Sequence, residues 1–268
     1  MLDHWWPKPD AAFTIGPMTE PQIVTLLASA TEIVCALGFE GALVARSHEC
    51  DYPASVARLP AVTSSKIDTS RASGEVDNQV KSIVEQGLSV YKVDGDLLRE
   101  LQPAVIVTQT QCEVCAASPK DIEDAVESWT GSAPNIVSLE PNALADVWID
   151  IQNVADALGA ADRGRALTGD LRARMAAIET KSGAAALRPS FACIEWIEPL
   201  MAAGNWIPEL VAMAGGEDVF GRAGEQSPWV TWEALSEKDP DVILILPCGY
   251  DIPRSRAEMA PLTSRPDW

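Results

Sequence analysis

Arg163 to Ala185, RGRALTGDLRARMAAIETKSGAA, reads as one long helix. Leu167, Leu171, Met175 and Ile178 recur at spacings of three and four, which lays a single apolar stripe along a helical surface. Arg165, Arg172, Arg174, Glu179 and Lys181 fill the other faces, and Ser182-Gly183 supplies a stop. Strand-and-helix patterns lie on both sides of this stretch. The pattern fits two arrangements: a stiff strut between two α/β lobes, or a surface helix on one continuous domain.

The chain has 268 residues, enough for one large domain or two small ones. No run approaches the roughly 18 apolar residues of a membrane span, so a membrane-embedded protein is not expected. The formal charge of −19 disfavours nucleic acid and anionic membranes as partners, because like charges repel. It fits a protein that handles a neutral or cationic small molecule, and it fits acidity for solubility alone. The N-terminus, MLDHWWPKPDAAFTIGP, has no basic start followed by an apolar core and does not read as a signal peptide. As written, the chain is expected in the cytoplasm; a different true N-terminus would make it periplasmic. Residues 1–20, with Pro7, Pro9 and Pro17, read as a loose arm.

Ile23 to Leu27 reads as a buried strand, followed by a helix that Ser29 and Glu32 could cap and Gly38 could stop. Leu43-Val44-Ala45 is the next strand, and strand–helix–strand in this order implies a parallel pair. Ala104 to Thr108 and Asn135 to Leu139 add two more strands, with helices over 76–86, 96–101, 119–130 and 144–158. The loops at the strand ends then share one rim, where ligands bind in open α/β sheets. After the long helix come a strand over 190–196, a short helix over 207–214, Thr231 capping a helix over 232–238, and an apolar strand over 241–246. Two or three strands with little helix can hardly cover both faces of a sheet, so this second set reads as incomplete.

No glycine-rich phosphate loop follows any strand, and no nucleophile-elbow or zinc-protease motif is present. Of six cysteines, Cys35 and Cys193 sit in apolar runs and read as core. Cys112-x-x-Cys115, with His48 and Cys50 at another strand end, could hold zinc or iron tetrahedrally. A redox disulfide and plain reduced thiols are the alternatives. His48 with Cys50 is the only base–nucleophile pairing, and two residues of spacing makes productive geometry improbable, so catalysis is not expected. Trp196, Trp206, Trp229 and Trp232 crowd the last third, with Tyr52 and Tyr250 in strand-exit loops. They fit a core, or in part an aromatic-walled site.

Five segments together resemble the helical-backbone substrate-binding proteins of bacterial ABC importers, nearest to the vitamin B12 (cobalamin) and ferric siderophore binders. They are IVTLLASATEIVCALG (Ile23 to Gly38), SHECDYP (Ser47 to Pro53), LLRELQPAVIVTQTQCEVC (Leu97 to Cys115), SPWVTWEAL (Ser227 to Leu235) and DPDVILILPCGY (Asp239 to Tyr250). The resemblance implies two Rossmann-like α/β lobes joined by one long helix: an N-terminal lobe over 21–160, the helix over 161–185, and a C-terminal lobe over 186–268, apparently truncated. It implies a corrinoid or an iron-siderophore chelate held in a cleft between the lobes, with no required cofactor and no catalysis. Asp51, Tyr52, Pro53 and Trp229 match cleft-lining positions; Glu113, Trp196, Cys248 and Gly249 lie on comparable loops. It also implies an ABC permease as partner, docked through a surface glutamate on each lobe; here Asp96 is the nearest first-lobe counterpart, an aspartate where the family has glutamate, and Glu209 is the second-lobe candidate. The other reading of the same residues is a cytoplasmic metal or redox protein built on His48, Cys50, Cys112 and Cys115.

Overall fold

The computed structural model describes residues 21–86, 89–110, 117, 121–122, 133–265 and 268. They form two compact α/β units. The first takes the described residues within 1–66, 87–140 and 148–169; the second takes 67–86, 141–147 and 170–268.

The first unit is built on strands β1 (Ile23–Thr25), β2 (Leu43–Arg46), β3 (Thr63–Ser65), β4 (Tyr91–Val93), β5 (Val105–Gln109) and β6 (Asn135–Leu139). β2-β1-β5-β6 form one sheet whose three pairings are all parallel. Parallel strands need cover on both faces, so the central ones begin as apolar runs and are buried to their ends, including the polar Thr25, Thr108 and Gln109. Ile23, Val24 and Thr25 are buried throughout, as is every residue of β5. Val24, Leu26, Ala45, Val62, Leu98 and Ile106 pack as one cluster; each large aliphatic side chain contributes about 1.5–3 kcal/mol by leaving water. β3 and β4 form a separate antiparallel ribbon.

The helix after β1 runs Ala28–Ala36 with Leu27 at its N-cap and no side-chain cap. Ser29 and Glu32 therefore lie inside the helix and do not form the expected capping box. The extended conformation of Leu27 brings the chain into the helix two residues earlier than a Ser29 cap would. Gly38 does close this region, at φ +82°, a backbone conformation that favours glycine.

The second unit is organised around β7 (Ser190–Trp196). β8 (Met201–Ala202) pairs antiparallel with the end of β7, and β9 (Glu217–Asp218) pairs parallel with its start. β10 (Val242–Ile245) lies parallel along the other edge of β7. Ala192, Ile194, Ile197, Leu200, Trp232, Leu235 and Leu262 form its main core. Thr231 caps the helix Trp232–Lys238 as expected, its hydroxyl accepting from the Ala234 amide at 3.1 Å. Leu244 on β10 is 41% exposed.

The long helix spans Ala161–Gly183, beginning two residues earlier than the periodicity predicts and ending at the expected glycine. Its residues to 169 pack with the first unit and those from 170 with the second. At the first end Arg163 donates to the Leu37 carbonyl at 3.0 Å and lies over the Phe39 ring. At the other end the Ser182 hydroxyl donates to the Met213 carbonyl at 2.6 Å. The apolar stripe is unevenly used: Leu167 is buried, Leu171 and Met175 are half-buried, and Ile178 is 45% exposed.

Candidate functional site

β2 ends in Arg46, and this side chain organises the loop that follows. Its guanidinium donates to the carbonyls of Ser47 (2.8 Å), His48 (3.3 Å), Val56 (3.0 Å) and Ala57 (2.9 Å). Four charge-assisted bonds from one rigid fork fix the stretch that carries Asp51, Tyr52 and Pro53. Asp51 is exposed, Tyr52 and Pro53 are half-buried, and the Tyr52–Pro53 bond is cis.

Behind this loop lies a chain of small polar groups. The Thr63 hydroxyl donates to Ser47 Oγ at 2.9 Å and meets both the His48 amide (3.1 Å) and His48 Nδ1 (2.8 Å). The His48 ring lies 5.5 Å from that of Tyr91, whose hydroxyl donates to Glu49 at 2.9 Å. Cys50 faces elsewhere: the residue is 1% exposed, and its sulfur accepts from the Thr31 hydroxyl at 3.0 Å. Burial holds the His48 imidazole below its ordinary pKa, helped by Arg46 and opposed by Glu49. Burial pushes the Cys50 thiol up, so it stays protonated. His48 and Cys50 thus take different partners, although only one residue separates them. Cys112, Glu113 and Cys115 lie outside the described residues.

In the second unit, Trp196 ends β7 with its indole N–H donating to the Glu198 carbonyl at 3.1 Å. Its ring stands 5.4 Å from that of Tyr250. Arg254 lies over the other aromatic partner, 4.1 Å from the Tyr250 centroid. It also donates to the carbonyls of Thr69 and Arg71, each at 2.5 Å. Glu258 accepts from the Ser73 amide at 2.9 Å. These bonds hold the segment 67–86, which leaves β3 and returns towards β4, against the helix Ile252–Ala257 and its end.

Trp229 is pinned by its neighbours: the Ala202 amide donates to the Pro228 carbonyl (2.9 Å) and the Val230 amide to the Leu200 carbonyl (3.0 Å). Its side chain is nevertheless 55% exposed, with the Lys81 ammonium 5.3 Å from its ring centroid. Lys81 is itself paired with Asp77 at 2.7 Å. Trp232, by contrast, is core. Cys248 and Gly249 are exposed in the loop after β10, Gly249 at φ +74°. Glu195 is half-buried, and burial raises its carboxyl despite a hydrogen bond with Ser227.

The two acidic positions expected to meet a permease differ. Asp96 is 90% exposed and bonds Arg99 at 2.7 Å; it lies on a polar groove of about 520 Å³ with Lys92, Asp94 and Arg99. Glu209 is tied down, accepting from the Leu144 amide at 2.7 Å. Among the described residues, no three His, Cys, Asp or Glu side chains come together as a metal site, and no helix is long and apolar enough to cross a membrane.

Residues 23–260 match the family model described as periplasmic binding protein. The chain belongs to this family. The periplasmic vitamin B12 binding protein BtuF of Vibrio cholerae has a similar fold, with a TM-score of 0.60 at 18% identity over 84% of this chain and 76% of that one. The periplasmic heme-binding protein RhuT of Roseiflexus sp. RS-1 in apo form gives 0.67 at 21% identity over 92% and 83%. S. aureus IsdE complexed with heme gives 0.63 at 15% identity over 93% and 84%. No curated protein matches the sequence.

The family member has an arginine at the root of each candidate region, and sequence reasoning missed both. Arg46 is signalled only as a charge at the tip of an apolar strand, and Arg254 only as the third residue after the capping Asp251. Tyr91 and Thr63 gave no signal, since each is an ordinary strand residue until the ribbon places it beside His48.

Proposed function

We propose that this chain is the ligand-capturing component of an ABC importer and that its cargo is a metal tetrapyrrole, a corrinoid or a haem. Membership of the periplasmic binding protein family supports capture rather than catalysis, and a periplasmic setting. Relatives of the same fold are named for vitamin B12 and for heme, two cargoes that share a flat macrocycle around a metal.

The observation that carries the choice is Trp229. An indole with more than half its surface in water and a cation beside it, on a backbone held at both neighbouring residues, is unusual for a core residue. It suits a flat ligand that stacks on its face. The Asp51-Tyr52-Pro53 loop, Trp196 with Tyr250, and Cys248-Gly249 are the other groups we assign to cargo binding. A charge of −19 favours cargo without several negative charges, which places an anionic iron-siderophore chelate below a corrinoid.

Titration of aquocobalamin and of hemin against tryptophan fluorescence tests this. Binding at micromolar ligand or tighter, a free energy of about −8 kcal/mol, is the expected result. No quenching and no calorimetric heat with either ligand at that concentration would overturn it.

A further inference from the structure

The excursion from β3 to β4 is fastened at one end. Arg254 donates to the carbonyls of Thr69 and Arg71, each at 2.5 Å, and the Ser73 amide donates to Glu258 at 2.9 Å. Hydrogen bonds with a charged partner are the strong ones. Gly74 sits so close to Glu198 that a Cβ would stand 3.3 Å from its Cγ. Ser73 and Val76 are the buried residues of the helix Ser73–Val84, and both lie in its first turn. Beyond them the helix is loosely held. Among the described residues, the side-chain hydrogen bonds and ion pairs of 77–86 stay within the excursion, as in Lys81 with Asp77 at 2.7 Å and Gln86 with the Ser82 carbonyl at 2.6 Å. The tie outward is the Lys81 ammonium, 5.3 Å from the Trp229 ring centroid. A cation–π pair at an exposed site is weak.

The apolar pattern of this helix runs past the part that is covered. Val76, Val80 and Ile83 recur at spacings of four and three, with Val84 beside them, which makes one apolar face. Val76 is 5% exposed, Val80 and Ile83 are half-buried, and Val84 is 37% exposed. A helix that served only as cover would bury this face along its whole length. Here the uncovered half meets, through Lys81, a tryptophan that is itself more than half exposed. An element firm at one end and poorly packed at the other opens locally at the poorly packed end. Lids over binding sites are elements of this kind.

We propose that the helix Ser73–Val84 is a lid on the cargo that stacks on Trp229. The inference rests on the cargo class and the Trp229 platform proposed above. The first turn is the hinge, held by Arg254 and Glu258. Lys81 leaves the indole as the flat ligand arrives, and the half of the helix that carries Val80, Ile83 and Val84 closes over the ligand. The apolar face then gains the cover it lacks, from a macrocycle rather than from protein. Such a lid acts after capture, so it slows escape more than entry.

The test uses the whole chain with hemin and with aquocobalamin. In wild type, bound ligand is expected to slow hydrogen–deuterium exchange of the amides of 77–86 at least about tenfold, while those of 69–76 change less than about twofold. The double variant Ile83→Gln/Val84→Gln keeps helix-forming capacity and removes the apolar face. It is expected to lose that protection and to release ligand at least about tenfold faster in stopped flow, with association within about twofold of wild type. Should the variant not fold, the wild-type exchange comparison decides alone. Unchanged exchange over 77–86 in a wild type that binds ligand overturns the lid and leaves the cargo class standing. So does equal release from variant and wild type. Failure of both ligands to bind wild type overturns the cargo class, and the lid with it.

Discussion

Arg46 reaches ten residues along the chain to donate to the carbonyl of Val56, 3.0 Å away, while the same guanidinium holds Ser47, His48 and Ala57. Four carbonyls of one loop thus share one cation. A lysine has a single charged nitrogen and cannot present this fork. Arg46→Ala should cost about 1.5–3 kcal/mol of stability, the scale for loss of charged hydrogen bonds at a half-buried site. Arg46→Lys should recover part of that stability while still weakening cargo binding, since the loop bearing Tyr52 would lose its fixed shape. Urea denaturation beside ligand titration measures both. A loop that needs only the charge would leave the lysine variant fully active.

Trp229 and Trp232 lie three residues apart and are set to fail differently. Trp232 is 8% exposed and packs with Ile194 and Leu235 in the core of the second unit. Trp232→Ala should cost about 3–5 kcal/mol, as for other large-to-small changes in a core. Trp229 has its side chain mostly in water, so Trp229→Ala should change stability by less than about 1 kcal/mol. Its effect should fall on cargo affinity instead, at least about tenfold if the ring stacks on the ligand. Equal affinity in Trp229→Ala and wild type would remove this residue from the site.

The same pair shows how far the sequence could be read. The strands were legible because a parallel sheet buried on both faces writes itself as short apolar runs, and β7 occupies the expected 190–196. The long helix was legible from its period. Its burial was not, since a stripe says which face is apolar and not how far along the helix a neighbour covers it; Ile178 remains exposed. The four tryptophans were indistinguishable by composition, and only the pairing of 228–230 with β8 separates the outward Trp229 from the inward Trp232. The polar network at His48 depends on Thr63 and Tyr91, which are 15 and 43 residues away. A single sequence carries no signal for contacts of that range.

Two titratable groups should shape the pH dependence of stability in opposite senses. Burial raises the Glu195 carboxyl, with the Ser227 hydrogen bond opposing. The folded chain therefore holds that proton more tightly than the unfolded one. The contribution is complete below the ordinary carboxylate range and is lost as pH rises through the raised folded value. Glu195→Gln should melt higher than wild type at pH 7, by no more than about 2–4 °C, the shift worth ~1 kcal/mol in a chain of this size. The difference should vanish near pH 4. For His48 the folded value is lowered, so the unfolded chain binds the proton more readily. Stability should fall as pH drops from 7 through the ordinary histidine range, until the folded ring also protonates. Arg46 reinforces that fall and Glu49 opposes it. Melting curves from pH 4 to 8 for wild type, Glu195→Gln and His48→Gln separate the two. A profile for His48→Gln as steep as wild type between pH 7 and 5 would remove His48 as the cause.

Two glycines of the long helix make the last prediction, because one is needed and the other is not. At Gly164 a Cβ would stand 2.6 Å from the Ala155 Cβ and 2.9 Å from Gln152 Oε1. The helix Leu144–Ala157 and the long helix approach there too closely for any side chain. At Gly169 a Cβ meets nothing within 4 Å, and the residue is exposed in mid-helix. Gly169→Ala should stabilise by about 0.5–1 kcal/mol, since alanine loses less backbone freedom on folding. Gly164→Ala gains the same helical preference but must push two elements apart, an overpacking that costs about 1–3 kcal/mol. The net effect should be destabilising. With the two sites more than one helical turn apart, the double variant should show the sum of the single changes in urea denaturation. A stabilising Gly164→Ala would mean that the two helices can separate at no cost, and that their close contact does not fix where the long helix sits on the first unit.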